Sequence, residues 1–272
     1  MINILKAEFF KLRKSKALLI CLIVLAGYIA LEMGIMTSLS ALLRNTVEGA
    51  EEILDMYGLT ASSALRYFAN DFLILTIIAT IIICGFYSGE HRYGLIKNSL
   101  CVGVSRNKVY FAKFLMTMIV SAAFYCIATF IYMAVLGIIG GWGSVSAATF
   151  MGFWFLELLL FLSLGALVFM FSMLTKSTGA TIGITLGLVF IFNILSVFGV
   201  YASVVPGLQT GNNLLSDILN EISMLFSAGQ IIIAASMDLT GWRLVEAVLV
   251  GVVTLIGAGA AGLAVFRKQD QK

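Results

Sequence analysis

Six apolar blocks, each long enough to cross a lipid bilayer, leave this chain few ways to fold. They run over about 17–36, 72–88, 114–139, 150–173, 178–200 and 244–266. A helix crosses the hydrocarbon core with roughly 20 residues. No water reaches backbone N–H and C=O groups there, so each block must satisfy them internally as a helix. A β-barrel would need alternating polar residues, and these runs are continuous. Composition agrees: 61% of the 272 residues are hydrophobic and only 11% are charged, against about a quarter charged in a soluble domain. The mean hydropathy is +1.05. The expected fold class is an all-α membrane protein with six transmembrane helices, forming a single transmembrane domain over 1–272. The first block, Ala17 to Met36, is longer than a signal-peptide core and lacks a good cleavage site, so it reads as an uncleaved anchor.

Charge placement sets the orientation. Lys6, Lys11, Arg13, Lys14, Lys16, Arg92, Lys97, Arg106, Lys108, Lys113, Lys176, Arg267, Lys268 and Lys272 all fall on one side of the predicted topology. Only Arg44, Arg66 and Arg243 fall on the other. Basic residues stay on the cytoplasmic side, which places both termini in the cytoplasm. Most acids show the opposite bias, Glu48, Glu51, Glu52, Asp55, Asp217 and Asp238 among them.

Two segments do not span. Residues 1–16 place Ile2, Leu5, Phe9 and Leu12 on one face and most basic residues away from it. This suits a helix lying in the headgroup layer, or else a plain basic flank that only fixes orientation. In the outer loop 201–243, residues 222–236 are apolar but about 15 long and broken by Gly229-Gln230. They are expected to form re-entrant or interfacial helices, with Pro206 turning the chain at the loop's start.

Motifs for chemistry are missing. The chain has no phosphate-binding GxxxxGK[ST], no HExxH, no GxSxG and a single histidine, His91. No metal site, resident cofactor, enzymatic activity or nucleic-acid partner is expected. Cys21, Cys84, Cys101 and Cys126 lack zinc spacing and are read as reduced. Two acids stand inside apolar blocks, Glu32 and Glu157. An intramembrane acid is costly and marks a candidate translocation route; the plainer reading is a solvated vestibule acid. Asn193 reads as an interhelical hydrogen-bond residue. Small residues recur at four-residue spacing at Gly137 and Gly141, at Gly179, Gly183 and Gly187, and at Ala258 and Gly262. Such stripes suit close helix packing, within one chain or across a dimer.

The cytoplasmic loop 88–113, SGEHRYGLIKNSLCVGVSRNKVYFAK, carries the most information. It is basic and amphipathic, fit either to dock a soluble partner or to rest on anionic lipid. Together with the start LKAEFFKLRKSK, it resembles the permease subunits of type-two ABC exporters. The likeness is to the small six-helix kind found beside bacterial antibiotic and lantibiotic resistance ATPases. Glu8, Lys11 and Lys16 fall at recurring polar positions of that family's entry helix. Glu90, Tyr93, Gly94, Ile96, Lys97, Gly103, Ser105, Arg106 and Lys113 match its second pattern, with Arg92 alongside. Leu95 and Val104 depart from it, where the family often has Thr and Pro.

The resemblance implies a separate ABC ATPase, carrying ATP and Mg, docked on the 90–106 region. It also implies a second permease copy or paralogue. The cargo would be an antimicrobial peptide or similar amphiphile, with sodium or a lipid as alternatives. A membrane scaffold or sensor that does not transport is the reading from another class.

Overall fold

The computed structural model describes residues 2–46, 58–92, 105–175, 177–204, 221–222, 224–235, 237 and 241–268. Among these the only regular secondary structure is helical. α1 (Ile2–Lys14) is followed after one residue by α2 (Lys16–Thr46). A short 3-10 turn, Ala61–Ser63, leads into α3 (Ala64–Asn70) and then α4 (Phe72–Arg92). The long helices α5 (Arg106–Gly140), α6 (Ala147–Thr175) and α7 (Thr178–Val204) come next. Short α8 (Ser227–Ala234) precedes α9 (Trp242–Lys268).

Local chemistry fixes several of these boundaries. Ser15 separates α1 from α2, and its Oγ accepts the Leu18 N–H at 3.5 Å. Ser146 caps α6 in the same way, accepting the Thr149 N–H at 3.1 Å. α5 stops at Gly141, whose φ of 71° suits glycine.

By length and apolarity, four described helices can cross a membrane: 18–42, 106–140, 147–175 and 242–268. A fifth is the bent pair Ala61–Asn70 and Phe72–Gly85, which meets at 73°. The remaining predicted block is helical from Thr178 to Val204, and its apolar stretch Gly179–Ile191 is shorter than a span. The observed helices overrun the predicted blocks, most of all α2, which continues ten residues past Met36. Residues 72–88 form α4 as expected, but the sequence did not anticipate α3 or the bend before it. The loop 88–113 is also shorter than its sequence suggests, because α4 continues to Arg92 and α5 begins at Arg106.

α6 is the centre of the bundle. It packs against α4, α5, α7, α8 and α9, and its contact with α9 is the most extensive of all. The main core joins α2, α3, α4, α5 and α6 around Phe68, Phe72, Tyr125, Tyr132 and Phe161. α2 and α9 are peripheral and turn large apolar side chains outward, among them Leu19, Ile23, Leu31, Val253 and Ile256. In water such surface would be a liability; against hydrocarbon it is what a span requires. α8, inside the predicted short segment 222–236, is packed on α6 and α7, with Ile231 and Ala234 fully buried.

Opposite α1, residues 58–63 fold over the turn between α5 and α6. The Ala61 N–H donates to the Gly141 carbonyl at 2.9 Å and the Ser62 N–H to the Trp142 carbonyl at 3.0 Å. A Cβ on Gly140 would collide with the Leu59 carbonyl, so the strap needs glycine there.

Candidate coupling site

The residues singled out in the two family-like segments converge at one end of the bundle. Glu8 lies on α1 and Lys113 lies two turns into α5. The Lys113 Nζ donates to Glu8 Oε1 at 3.0 Å, and both side chains are about 5% exposed or less. Lys11 reaches the same oxygen at 3.4 Å from a half-exposed position. Glu8 Oε2 is buried with no hydrogen-bond partner among the described residues. α1 is therefore pinned to α5 by a desolvated ion pair, whose loss on one side strands a buried charge.

Lys113 is held from below as well. Its Nζ stands 5.5 Å from the centroid of the Tyr87 ring on α4. The Tyr87 hydroxyl donates to the Lys113 carbonyl at 2.6 Å, and Thr117 Oγ1 lies 2.8 Å from that hydroxyl. Tyr87 belongs to a second core at this end, with Ile83, Val109, Tyr110, Phe169, Met173 and Phe266. Tyr110 donates to the Gly259 carbonyl at 2.7 Å, and Gly262 leaves room for its ring. α4, α5, α6 and α9 are thus locked into one aromatic platform.

The start of α5 rests on this platform. Ser105 is its N-cap residue, although its side chain makes no capping bond. Arg106 donates to the Arg267 carbonyl at 3.0 Å, and the Arg267 Nε donates to Asn107 Oδ1 at 2.9 Å. The C-terminal end of α9 is tied to the first turn of α5 by this exchange. Glu90 and Arg92 fall in the last turns of α4. Tyr93, Gly94, Ile96, Lys97 and Gly103 lie outside the described residues. Lys16 is exposed at the start of α2.

The intramembrane acids occupy different sites. Glu32 is half-buried and accepts from Tyr132 at 2.9 Å. The Tyr132 hydroxyl also contacts Asp71 Oδ2, and Tyr28 donates to Asp71 Oδ1 at 2.8 Å. Asp71 stands at the bend between α3 and α4, so this cluster joins α2, the bend and α5. Glu157 is fully buried in α6, where Tyr125 donates to Oε2 at 3.2 Å and Oε1 has no partner among the described residues. The described residues of its own chain leave it no accessible surface. Neither acid touches the Glu8–Lys113 pair. No group of His, Cys, Asp and Glu among the described residues is arranged to hold a metal ion.

The Glu8–Lys113 pair and the Asp71 cluster escaped the sequence reading, which found each family-like segment but not the contact between them. Asn70-Asp71, a polar pair directly ahead of an apolar run, was the one available signal for the bend.

A family model described as ABC-2 family transporter protein matches residues 4–196, well over half the chain. The chain belongs to the ABC-2 transporter family. Among curated proteins none matches it. The match runs from α1 into α7, so it includes every residue of the Glu8–Lys113–Tyr87 junction and leaves α8 and α9 outside. As an ABC-2 permease the protein is a multi-pass membrane component of an ABC transporter, not its catalytic ATPase, and its partner is an ABC ATPase subunit. The absence of a phosphate-binding loop from this sequence fits that division of labour.

Proposed function

We propose that this permease is the membrane subunit of an ATP-driven exporter that removes antimicrobial peptides or similar amphiphiles from a bacterial plasma membrane. It crosses six times, with both termini in the cytoplasm, and works with a second copy or a paralogue. The ATPase docks on the segment from Glu90 to Arg106, with Glu90 and Arg106 as charged contacts or internal braces. Nucleotide-driven movement of that segment passes through the start of α5 to Lys113, from Lys113 to Glu8, and so to α1 and α2. Glu157 and Glu32 line the interior route or shape it.

The observation that carries this reading is the buried Glu8–Lys113 pair, which joins the entry helix to the helix that follows the docking segment. The clustering of α1, the start of α5 and the end of α9 at one basic end of the bundle supports the orientation. Gly179, Gly183 and Gly187 support a second copy, because a Cβ at any of them would meet nothing among the described residues.

Co-purification with the paired ATPase is the first test. Reversing both Glu90 and Arg106 is expected to abolish it, whereas Glu8→Gln should leave the ATPase bound and uncouple hydrolysis from export. Unchanged binding in the doubly reversed variant would remove the docking model. A second cargo, sodium, is favoured by the paired carboxyl groups of Glu32 and Asp71 with their two tyrosines. Resistance assays across peptide antibiotics and across sodium concentrations separate the two: protection against peptides, unaffected by Asp71→Asn, supports the amphiphile.

A further inference from the structure

The junction of α1 and α2 forms a shallow, open groove of about 630 Å³. Arg13, Lys14 and Lys16 form its rim, and Leu19, Ile23 and Ala26 form its wall. The two parts differ sharply in chemistry. All three cations are exposed, and none forms an ion pair with an acid among the described residues. Lys14 lies 5.8 Å from the Phe10 ring centroid, a contact that leaves its charge uncompensated. The one acid of α1, Glu8, is committed to Lys113 and Lys11. The wall carries no charge over Leu18–Ala26, which spans about 12 Å of helix, most of one leaflet's hydrocarbon depth.

A ligand that complements both parts has a net negative headgroup and a hydrocarbon chain. Free phosphate satisfies only the rim, and a zwitterionic lipid brings its own cation to a site already holding three. Phe9 and Phe10 are more than half exposed on α1, which suits a helix sunk to the headgroup boundary, where such a lipid is within reach. We propose that the α1–α2 elbow binds one anionic phospholipid, its phosphate held by Arg13, Lys14 and Lys16 and an acyl chain lying along Leu19, Ile23 and Ala26. The bound lipid fixes the angle between α1 and α2 beside the Glu8–Lys113 pair. The inference rests on membrane insertion of this end and is independent of the cargo.

The test uses the full-length permease purified in detergent, with lipid binding read by native mass spectrometry and by titration. Phosphatidylglycerol is expected to bind in preference to phosphatidylcholine of the same chain length. Each basic residue near a charged lipid surface contributes about fivefold, so Arg13→Gln, Lys14→Gln and Lys16→Gln together weaken binding roughly 100-fold. Ile23→Asn with Ala26→Asn weakens it while keeping all three cations. Lys108→Gln with Lys268→Gln, which removes two cations from the same end but outside the groove, leaves it unchanged. Should the triple variant fail to fold, Lys14→Gln alone is read for its fivefold loss.

Equal binding of the two lipids overturns the proposal. So does an equal loss in the Lys108 and Lys268 control, or glycerophosphoglycerol, the headgroup without chains, binding as tightly as the lipid. ATPase co-purification is unaffected by any of these outcomes, so failure here is distinct from failure of the docking model.

Discussion

Glu8 and Lys113 stand 105 residues apart in sequence and meet where neither is solvated. Lys113→Ala leaves Glu8 buried without its closest cation, and breaking a buried pair this way costs about 3–5 kcal/mol. The expected readout is a clear fall in the thermal midpoint of the detergent-purified permease. Glu8→Leu combined with Lys113→Met should recover most of the stability but not the coupling, because an apolar contact no longer transmits force through a fixed geometry. A single mutant as stable as wild type would mean that water relieves the site. Tyr132→Phe makes a second residue-level case. It removes the hydroxyl between Glu32 and Asp71 and is expected to cost about 1–3 kcal/mol, measured the same way. Glu8 and Lys113 were both marked in the sequence, through separate patterns, but nothing in a one-dimensional pattern pairs positions on different helices. Glu32 and Glu157 stood out as acids in apolar runs; their tyrosine partners did not, because tyrosine is unremarkable in such runs.

The elements were legible wherever hydropathy decides them. α6 and α9 overrun their predicted blocks by two or three residues at each end and α5 begins eight residues early, as expected when polar residues continue a helix beyond the greasy stretch. α3 was missed because Ala61–Asn70 is too short to span and carries Arg66, so it read as loop. Its identity comes from burial of Leu65, Tyr67 and Phe68 against α5, a tertiary effect. The strap over the α5–α6 turn yields a prediction at this scale. Gly143 has φ 96°, and a Cβ there would crowd the Thr60 and Ser62 hydroxyls. Gly143→Val should cost about 1–3 kcal/mol and make residues 58–63 more sensitive to protease. Gly183→Leu gives the opposite outcome, since a Cβ there meets nothing among the described residues. Stability of the isolated subunit should not fall, and self-association, followed by light scattering, should weaken if a partner helix packs there.

At the scale of the whole molecule, the end holding α1, the start of α5 and the end of α9 is basic, while the described cations at the far end are few. Arg243 there is paired with Glu221 and Glu246. This asymmetry was legible in the sequence, because the positive-inside pattern depends only on where charges fall between blocks. Cysteine placed at Lys108 should resist a membrane-impermeant thiol reagent in intact cells, whereas cysteine at Trp242, 72% exposed, should react. Labelling in the reverse order would invert the topology and detach the proposed ATPase contact. The packing of α8 inside the bundle was not legible, since an apolar octet reads alike whether it faces lipid or protein.

α2 has 31 residues, about 46 Å of helix against a hydrocarbon layer of roughly 30 Å. It is secured near its beginning through α1 and at mid-length through Tyr28 and Glu32, and its last turns overhang. The arm beyond Glu32 is about 21 Å long, so a pivot of about 10° there sweeps its tip through about 4 Å. The overhang therefore works as one arm of a see-saw, carrying a tilt imposed on one side of the bilayer to an opposite displacement of similar size on the other.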